Sequence, residues 1–337
     1  MKKKILITGG AGYIGSHSIV ALFNNGFEPV IVDNFNNSDP WVLDQLELLT
    51  GQKTRTYKVD CTNYKALESV FKKEFFAGVI HFAALKAVGN SAKEPLKYYK
   101  NNIESLVNII ELMDKYKVPN FVFSSSCTVY GKVESLPIKE NHPINTAESP
   151  YGSSKQMCEL IIKDCLKSKK LINATVLRYF NPVGAHPSGL IGELPLGEPN
   201  NLAPYITETA AGIRSSLTIF GKDYKTTDGT CIRDYIHVMD LAEAHVKSIQ
   251  KMELTAASYI LNIGIGKGNS VLEVIKAFEK ATNIKIKYSF GPRRKGDIAE
   301  IFADNQLAKE TLNWEAKHSL EDAMRDAWRW QKYLSAK

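Results

Sequence analysis

Lys4-Ile-Leu-Ile-Thr-Gly-Gly-Ala-Gly-Tyr-Ile-Gly-Ser16 opens a stretch that runs on to Pro29-Val-Ile-Val-Asp33, and its reading decides the fold. The apolar run Lys4 to Thr8 predicts a short buried strand, Tyr13 to Asn25 a helix stopped by Gly26, and Pro29 to Asp33 a second strand. Between the first strand and the helix lies Gly9-x-x-Gly12-x-x-Gly15. In that context the glycines permit a tight turn and close backbone approach to a pyrophosphate, whose charge meets the helix N-terminus. A glycine-rich turn without ligand is the alternative reading. A strand, helix and strand of this length predict parallel pairing through a right-handed crossover.

The alternation continues outward. Strands are expected over Thr56 to Asp60, Gly78 to Phe82, Asn120 to Ser124 and Ala174 to Arg178. Helices are expected over Tyr64 to Phe75 and Tyr98 to Lys115, with another around Tyr151. The fold class is therefore α/β, a Rossmann-type doubly wound parallel sheet, with a smaller α/β lobe appended. From Asn181 to Asn201 prolines and glycines crowd the chain and mark a long functional loop. Beyond it Ile206 to Gly212, Leu272 to Thr282 and Leu320 to Tyr333 read as helices, and Leu217 to Phe220, Tyr259 to Ile263 and Lys285 to Phe290 as strands. Residues 1–180, receiving 234–264 as well, form the expected dinucleotide unit, and the remainder of 181–337 the second lobe.

Composition narrows the class. The 337 residues are 44% hydrophobic and 23% charged, ordinary for a globular protein. The net charge of +7 comes from 43 basic and 36 acidic residues without a basic and aromatic stripe, which argues against nucleic acid. Five cysteines, Cys61, Cys127, Cys158, Cys165 and Cys231, contain no Cys-x-x-Cys pair and suit a reducing, cytoplasmic setting. After Lys2 to Lys4 the apolar run Ile5 to Ile7 ends at Thr8, too short for a signal core, and no window suits a membrane span. The seven histidines lack metal-ligand spacing, so no metal is expected. His81, in an apolar strand, reads as a satisfied core group.

Candidate chemistry gathers at a few positions. Ser149 can cap a helix with Pro150 at its first position, which places Tyr151 and Lys155 one turn apart on one face. An ammonium near a phenol favours phenolate, although reaching neutrality from pH ~10 requires about 4 kcal/mol. Lys155 supplies part of this, and an oxidised nicotinamide the rest. Asp33 ends the second strand, where a carboxylate accepts from ribose hydroxyls and disfavours a 2′-phosphate, or else caps a turn. Asp60 is an adenine contact or a turn aspartate. Ser124-Ser-Ser-Cys-Thr-Val-Tyr-Gly131 puts hydroxyls at a strand's carboxyl end, for a substrate oxygen or for capping. Arg233, Arg293 and Arg294 suit a diphosphate, or simply face solvent.

Taken together these residues resemble the extended short-chain dehydrogenase/reductases and, within them, the UDP-galactose 4-epimerase family, nearly end to end. The likeness rests on Gly9 to Ser16, His81-Phe-Ala-Ala-Leu-Lys-Ala-Val88, Ser124 to Gly131, Tyr151-Gly-Ser-Ser-Lys155, Tyr179-Phe-Asn-Pro-Val-Gly-Ala-His186, Asp228 to His237 and Arg293-Arg-Lys-Gly-Asp297. It implies NAD held by Gly9, Gly12, Tyr13, Ile14, Gly15, Asp33, Asn34, Asn37, Ser38, Asp60, Cys61, Phe82, Ala83, Ala84, Lys86, Asn101, Ser124, Tyr151, Lys155 and Tyr179. It implies catalysis by Tyr151, Lys155 and Ser126, and a UDP-sugar bound by Lys86, Ser126, Tyr151, Phe180, Asn181, Asn201, Leu202, Phe220, Arg233, Arg294, Asp297 and Ile301. The implied reaction interconverts UDP-galactose and UDP-glucose through a 4-keto sugar, in a homodimer paired through helices of the cofactor lobe. Ile301, between the family's large tyrosine and its small residues, points to acceptance of N-acetylated sugars too. Nucleotide-sugar 4,6-dehydratases carry an acidic pair after the hydroxyl residue, where this chain has Cys127 and Thr128. A silent NAD sensor and a 4-epimerase for another nucleotide sugar or a uronate are the competing readings.

Overall fold

The computed structural model describes residues 2–294 and 296–337. Its first half alternates β1 (Lys4–Thr8), α1 (Tyr13–Asn24), β2 (Glu28–Asp33), α2 (Val42–Thr50), β3 (Arg55–Lys58), α3 (Tyr64–Lys73), β4 (Phe76–His81), α4 (Val88–Lys93), α5 (Pro95–Tyr116), β5 (Asn120–Ser126), α6 (Pro150–Lys167) and β6 (Asn173–Tyr179). The second half runs β7 (Asn181–Val183), α7 (Leu202–Ala210), β8 (Leu217–Phe220), β9 (Ile232–Arg233), β10 (Tyr235–His237), α8 (Val238–Thr255), β11 (Tyr259–Ile263), β12 (Asn269–Ser270), α9 (Val271–Thr282), β13 (Tyr288–Gly291), β14 (Glu300–Ile301), α10 (Gln306–Leu312) and α11 (Leu320–Ser335).

Seven parallel strands form the main sheet in the order β11-β6-β5-β4-β1-β2-β3. Strand order reverses between β1 and β4, which opens a crevice at their carboxyl ends. Strand alternation divides β1 between two cores. Ile5 and Ile7 pack with Ile19 and Leu22 of α1 and Leu241 of α8. Leu6, with Val30 and Val32, packs with Leu106 and Ile109 of α5 and Ile162 of α6. Each such fully buried aliphatic side chain stabilises the fold by about 2 kcal/mol. A third apolar cluster, with Ile206 of α7, Val274 and Phe278 of α9 and Met324 of α11, forms the core of the smaller lobe. β8 pairs with β13 there, and β12, β9 and β14 form a separate ribbon. No helix among the described residues is long and apolar enough to cross a membrane.

The expected elements recur with shifted ends. The third strand stops at Lys58 rather than Asp60, because Asp60 turns its carboxylate onto the Thr62 amide and hydroxyl at 2.9 and 2.7 Å. The helix expected to reach Phe75 ends at Lys73, and Phe76 already belongs to β4. β5 extends through Ser126, so the serine cluster begins inside the strand. The helix expected over Ile206 to Gly212 spans Leu202–Ala210, since Gly212 takes a positive φ of 74°. The strand expected over Lys285 to Phe290 is Tyr288–Gly291. α2, α4 and α8 carry no distinct expectation of their own; α8 delivers the chain from the second half back to the sheet as β11.

Candidate functional site

α6 begins as expected: the Ser149 hydroxyl accepts from the Gly152 amide at 3.1 Å and Pro150 takes the first position. Tyr151 and Lys155 follow in its first two turns, only 8% and 4% exposed. The Lys155 ammonium donates to the Ser124 carbonyl at 2.6 Å, lies 4.6 Å from the centre of the Phe123 ring and 5.9 Å from that of Tyr151. Burial lowers Lys155 from 10.5 to about 8, against the raising influence of Cys158 and Glu159. Burial, with Tyr179 nearby, holds the Tyr151 phenol well above its ordinary value, and the Ser126 hydroxyl acts in the opposite sense. The protein alone therefore leaves the phenol neutral, in keeping with the expectation that Lys155 supplies only part of what the phenolate needs. The lysine's charge is directed at the strand end, and desolvation outweighs it. Ser126 caps the turn Cys127–Tyr130, its hydroxyl accepting from the Thr128 amide at 3.3 Å, and the same hydroxyl lies against the Tyr151 phenol. The Ser124 hydroxyl is hydrogen-bonded to the Tyr179 hydroxyl, and burial raises that phenol to about 12.

The glycine turn and its neighbours are shaped for a dinucleotide. A Cβ on Gly15 would stand 2.4 Å from the Gly9 carbonyl oxygen, and one on Gly9 would stand 2.8 Å from the Ala83 amide nitrogen. Gly9 also has φ +69°, a conformation costly for other residues. α1 lacks a side-chain cap and has no acidic residue in its first turn, so its amides are oriented toward an anion. Asp33 both caps and organises the rim: its oxygens accept from the amides of Ala11 and Phe35 at 3.0 and 2.9 Å and from the Ser38 hydroxyl at 3.0 Å. Asn34 donates to Asp60 at 2.8 Å, placing both beside that rim, and Cys61 is buried behind them. A crevice lined by Gly12, Tyr13, Asn37, Ser38, Trp41 and Trp330 continues the site. On the β4 side the Phe82 amide donates to the Thr8 carbonyl at 3.0 Å, with Ala83 next to Gly9. Asn101 donates to Asn102 at 3.0 Å, and Asn102 ties the Leu85 loop to Ser154 of α6. These features fit NAD. Ile14 packs toward the core, and Ala84 lies in the partly buried loop after β4. His81 is a satisfied core group, its ring nitrogen 2.7 Å from the Thr8 hydroxyl.

A second group gathers residues of the smaller lobe. Arg233 and Arg294, from separate segments, meet the Asp297 carboxylate at 3.7 and 3.1 Å, and the Arg294 guanidinium lies 4.9 Å from the Phe220 ring. Arg293 does not join them; it pairs with Asp223 at 2.7 Å and stacks over Tyr224. Lys295 of the same run lies outside the described residues. Ile301 pairs with Arg233 between strands and is buried with Phe180, Val129 and Tyr130. Asn181 starts β7 and its amide donates to the Asp234 carbonyl at 2.9 Å. Leu202 opens α7, behind Asn201. Among the described residues no cluster of His, Cys, Asp or Glu is arranged to hold a metal.

Glu193 was not anticipated. Its carboxylate accepts from Asn201 at 2.6 Å and lies 3.9 Å from the Lys86 ammonium, linking a cofactor-lobe lysine to a second-lobe asparagine. Burial raises its pKa, with Lys86 and Asn201 opposing. Trp330 of α11 is also new: its indole donates to the Glu193 carbonyl at 2.8 Å and packs on Gly192, and it stacks on Trp41. Sequence spacing signals neither residue, since the Glu193 contact with Lys86 and the Trp330 contacts with Glu193 and Trp41 each span more than a hundred positions.

The chain matches the family described as GDP-mannose 4,6 dehydratase over residues 6–327. It is 50% identical to the UDP-glucose 4-epimerase of Haemophilus influenzae over 97% of each chain. Identity to the Homo sapiens UDP-glucose 4-epimerase is 47%, over 98% of this chain and 97% of that one. The crystal structure of a Stenotrophomonas maltophila UDP-glucose-4-epimerase with bound NAD and formylated UDP-arabinopyranose superposes with a TM-score of 0.96 at 44% identity, covering 99% of both chains.

Proposed function

The chain belongs to the UDP-glucose 4-epimerase family of extended short-chain dehydrogenase/reductases, NAD-dependent isomerases that interconvert UDP-galactose and UDP-glucose, and we propose that Tyr151, Lys155 and Ser126 carry that reaction here. The observation that supports this most is the burial of Tyr151 and Lys155 side by side at the carboxyl end of β5, against Ser126 and the Ser124 carbonyl. Bound NAD supplies a hydride acceptor that later returns the hydride to the same carbon.

Tyr151 removes the proton of the sugar 4-hydroxyl, with Ser126 hydrogen-bonded to the same oxygen, and a 4-keto sugar results. Because the protein's own groups hold the phenol high, its ionisation depends on cationic charge at the nicotinamide position in addition to Lys155. Lys155 holds the nicotinamide ribose. Arg233 and Arg294 hold the nucleotide diphosphate, oriented by Asp297, while Asn181, Asn201 and Leu202 line the nucleotide-sugar site and Phe220 lies beside the base. A sugar gripped through its diphosphate and loosely at its ring can present the other face of the ketone, and Tyr151 then returns the proton to inverted C4. The residues after Ser126 are Cys127 and Thr128, and burial pushes the Cys127 thiol up to about 12, so neither serves as the acid that a 4,6-dehydratase needs.

The division of labour follows the sheet: 1–180 with 234–264 carries NAD, and the remaining segments carry the UDP-sugar. Exposed Leu96 of α5 and Met157 and Leu160 of α6 suit pairing of two copies through the cofactor lobe, and a monomeric mass in solution would refute that. Free cysteines suit a cytoplasmic setting. The decisive test incubates purified protein with UDP-galactose and no added NAD. UDP-glucose formation with transient nicotinamide absorbance is expected, and Tyr151→Phe lowers turnover by about 10² to 10⁴. Near wild-type turnover in that variant excludes Tyr151 as the base.

A further inference from the structure

Behind Tyr151 and Lys155 lies a buried ion pair that the reaction scheme does not use. Glu159 is on α6, four residues beyond Lys155 and on the same face. Arg178 is on β6, with Ser125 of β5 as its register neighbour. Their side chains are 11% and 5% exposed. Arg178 Nη2 meets Glu159 Oε2 at 2.5 Å, Nε reaches both carboxylate oxygens at 3.0 and 3.2 Å, and the Ser125 hydroxyl donates to Oε1 at 2.6 Å. The remaining arm of the guanidinium, Nη1, donates to the Tyr130 hydroxyl at 3.1 Å and the Glu140 carbonyl at 3.2 Å, and the group stacks 4.8 Å from the Tyr130 ring. Tyr130 closes the turn that begins just after Ser126, and its hydroxyl donates to Asn262 of β11 at 2.7 Å.

One guanidinium therefore anchors both segments that bear the reacting hydroxyls, α6 with Tyr151 and the turn led by Ser126. A buried ion pair stabilises a fold little better than apolar side chains of the same volume, so what it adds here is direction. We propose that Glu159 and Arg178 are positioning residues of the epimerase reaction, fixing the Tyr151 phenol against the Ser126 hydroxyl and setting the local charge at Lys155. The inference rests on the hydride-exchange reading above. Lys155 faces Tyr151, Cys158 and Glu159 on its own helix, and His81 from β4, with Arg178 beyond Glu159. Removing the Glu159 charge weakens support for the ammonium, and removing the Arg178 charge strengthens it.

Glu159→Gln, Arg178→Met and the double variant test this, with the wild type alongside. Each is measured for urea stability, UDP affinity, kcat, KM and the pH at which UDP-galactose conversion falls on the alkaline side. In Glu159→Gln, kcat falls about ten-fold or more while KM stays within about two-fold, and the alkaline limb moves to lower pH. Arg178→Met moves that limb to higher pH. The double variant regains stability but not kcat. A kcat in Glu159→Gln within about two-fold of wild type, or limbs that stay put or move together in the two single variants, overturns the proposal. If Arg178→Met fails to fold, Glu159→Gln and the double variant decide the matter. A wild type that converts no UDP-galactose overturns the activity and this inference together, whereas an active wild type with an unaffected Glu159→Gln overturns the inference alone.

Discussion

Lys155→Met is expected to make the protein more stable and nearly inactive. Lys155 is 4% exposed and burial lowers it from 10.5 to about 8. At about 1.4 kcal/mol per pKa unit, holding the ammonium in that place at pH 7 costs on the order of 3 kcal/mol. The folded chain releases this proton near pH 8 while the unfolded chain keeps it to 10.5, so the unfolded state binds more protons across that interval and stability rises with pH through it. Methionine is apolar and flexible and can pack on Phe123, at the loss of the hydrogen bond to the Ser124 carbonyl. The net expectation at pH 7 is a gain of about 1 to 3 kcal/mol. Equilibrium urea unfolding of dinucleotide-stripped protein measures it, and the gap between variant and wild type should narrow as pH is raised from 7 towards 10. UDP-galactose turnover should fall by at least about 10². A variant less stable than wild type at pH 7, or a gap independent of pH, refutes the reasoning that desolvation dominates at Lys155.

Gly15→Ala places a methyl 2.4 Å from the Gly9 carbonyl oxygen and 2.8 Å from the Gly10 Cα, so the phosphate turn must shift. Destabilisation of about 1 to 3 kcal/mol and faster NAD release are expected, and a wild-type release rate by stopped-flow fluorescence would contradict this. Trp330→Ala removes the stack on Trp41 and the bond to the Glu193 carbonyl, opening the crevice beside Gly12 and Tyr13. The expected outcome is a dissociation of NAD at least about ten-fold faster, with kcat at saturating NAD nearly kept; unchanged release during gel filtration counts against it. Ile301 predicts measurable turnover of UDP-N-acetylglucosamine, lost in Ile301→Tyr while UDP-galactose turnover persists. Absence of that turnover in the wild type shows that position 301 does not set sugar size here.

Local order was legible in the chain wherever it depended on neighbouring residues. The run Lys4 to Thr8, the glycines to Gly15 and the pair Tyr151 and Lys155 obey strand, turn and helix periodicities that need no partner beyond one turn, and the structure keeps them in place. Ends were less legible, because competing side chains decide them: Asp60 leaves the third strand for Thr62, and Gly212 leaves the seventh helix for a positive φ. Residue chemistry alone left Arg293 and Arg294 equivalent; family likeness chose Arg294, and the fold shows the physical difference, Arg294 meeting Asp297 while Arg293 turns to Asp223.

By itself the sequence determined an α/β chain with a phosphate-binding turn, a tyrosine and lysine sharing one helical face, and an odd number of cysteines. Those follow from backbone geometry and from chemistry within a few residues. Tertiary structure alone decided that Lys155 directs its charge at the Ser124 carbonyl, that Glu193 joins Lys86 to Asn201, and that Arg178 ties Glu159 to Tyr130. Desolvation and ion pairing depend on which distant segments close over a group, and that enclosure exists only once the sheet and both helical layers have assembled.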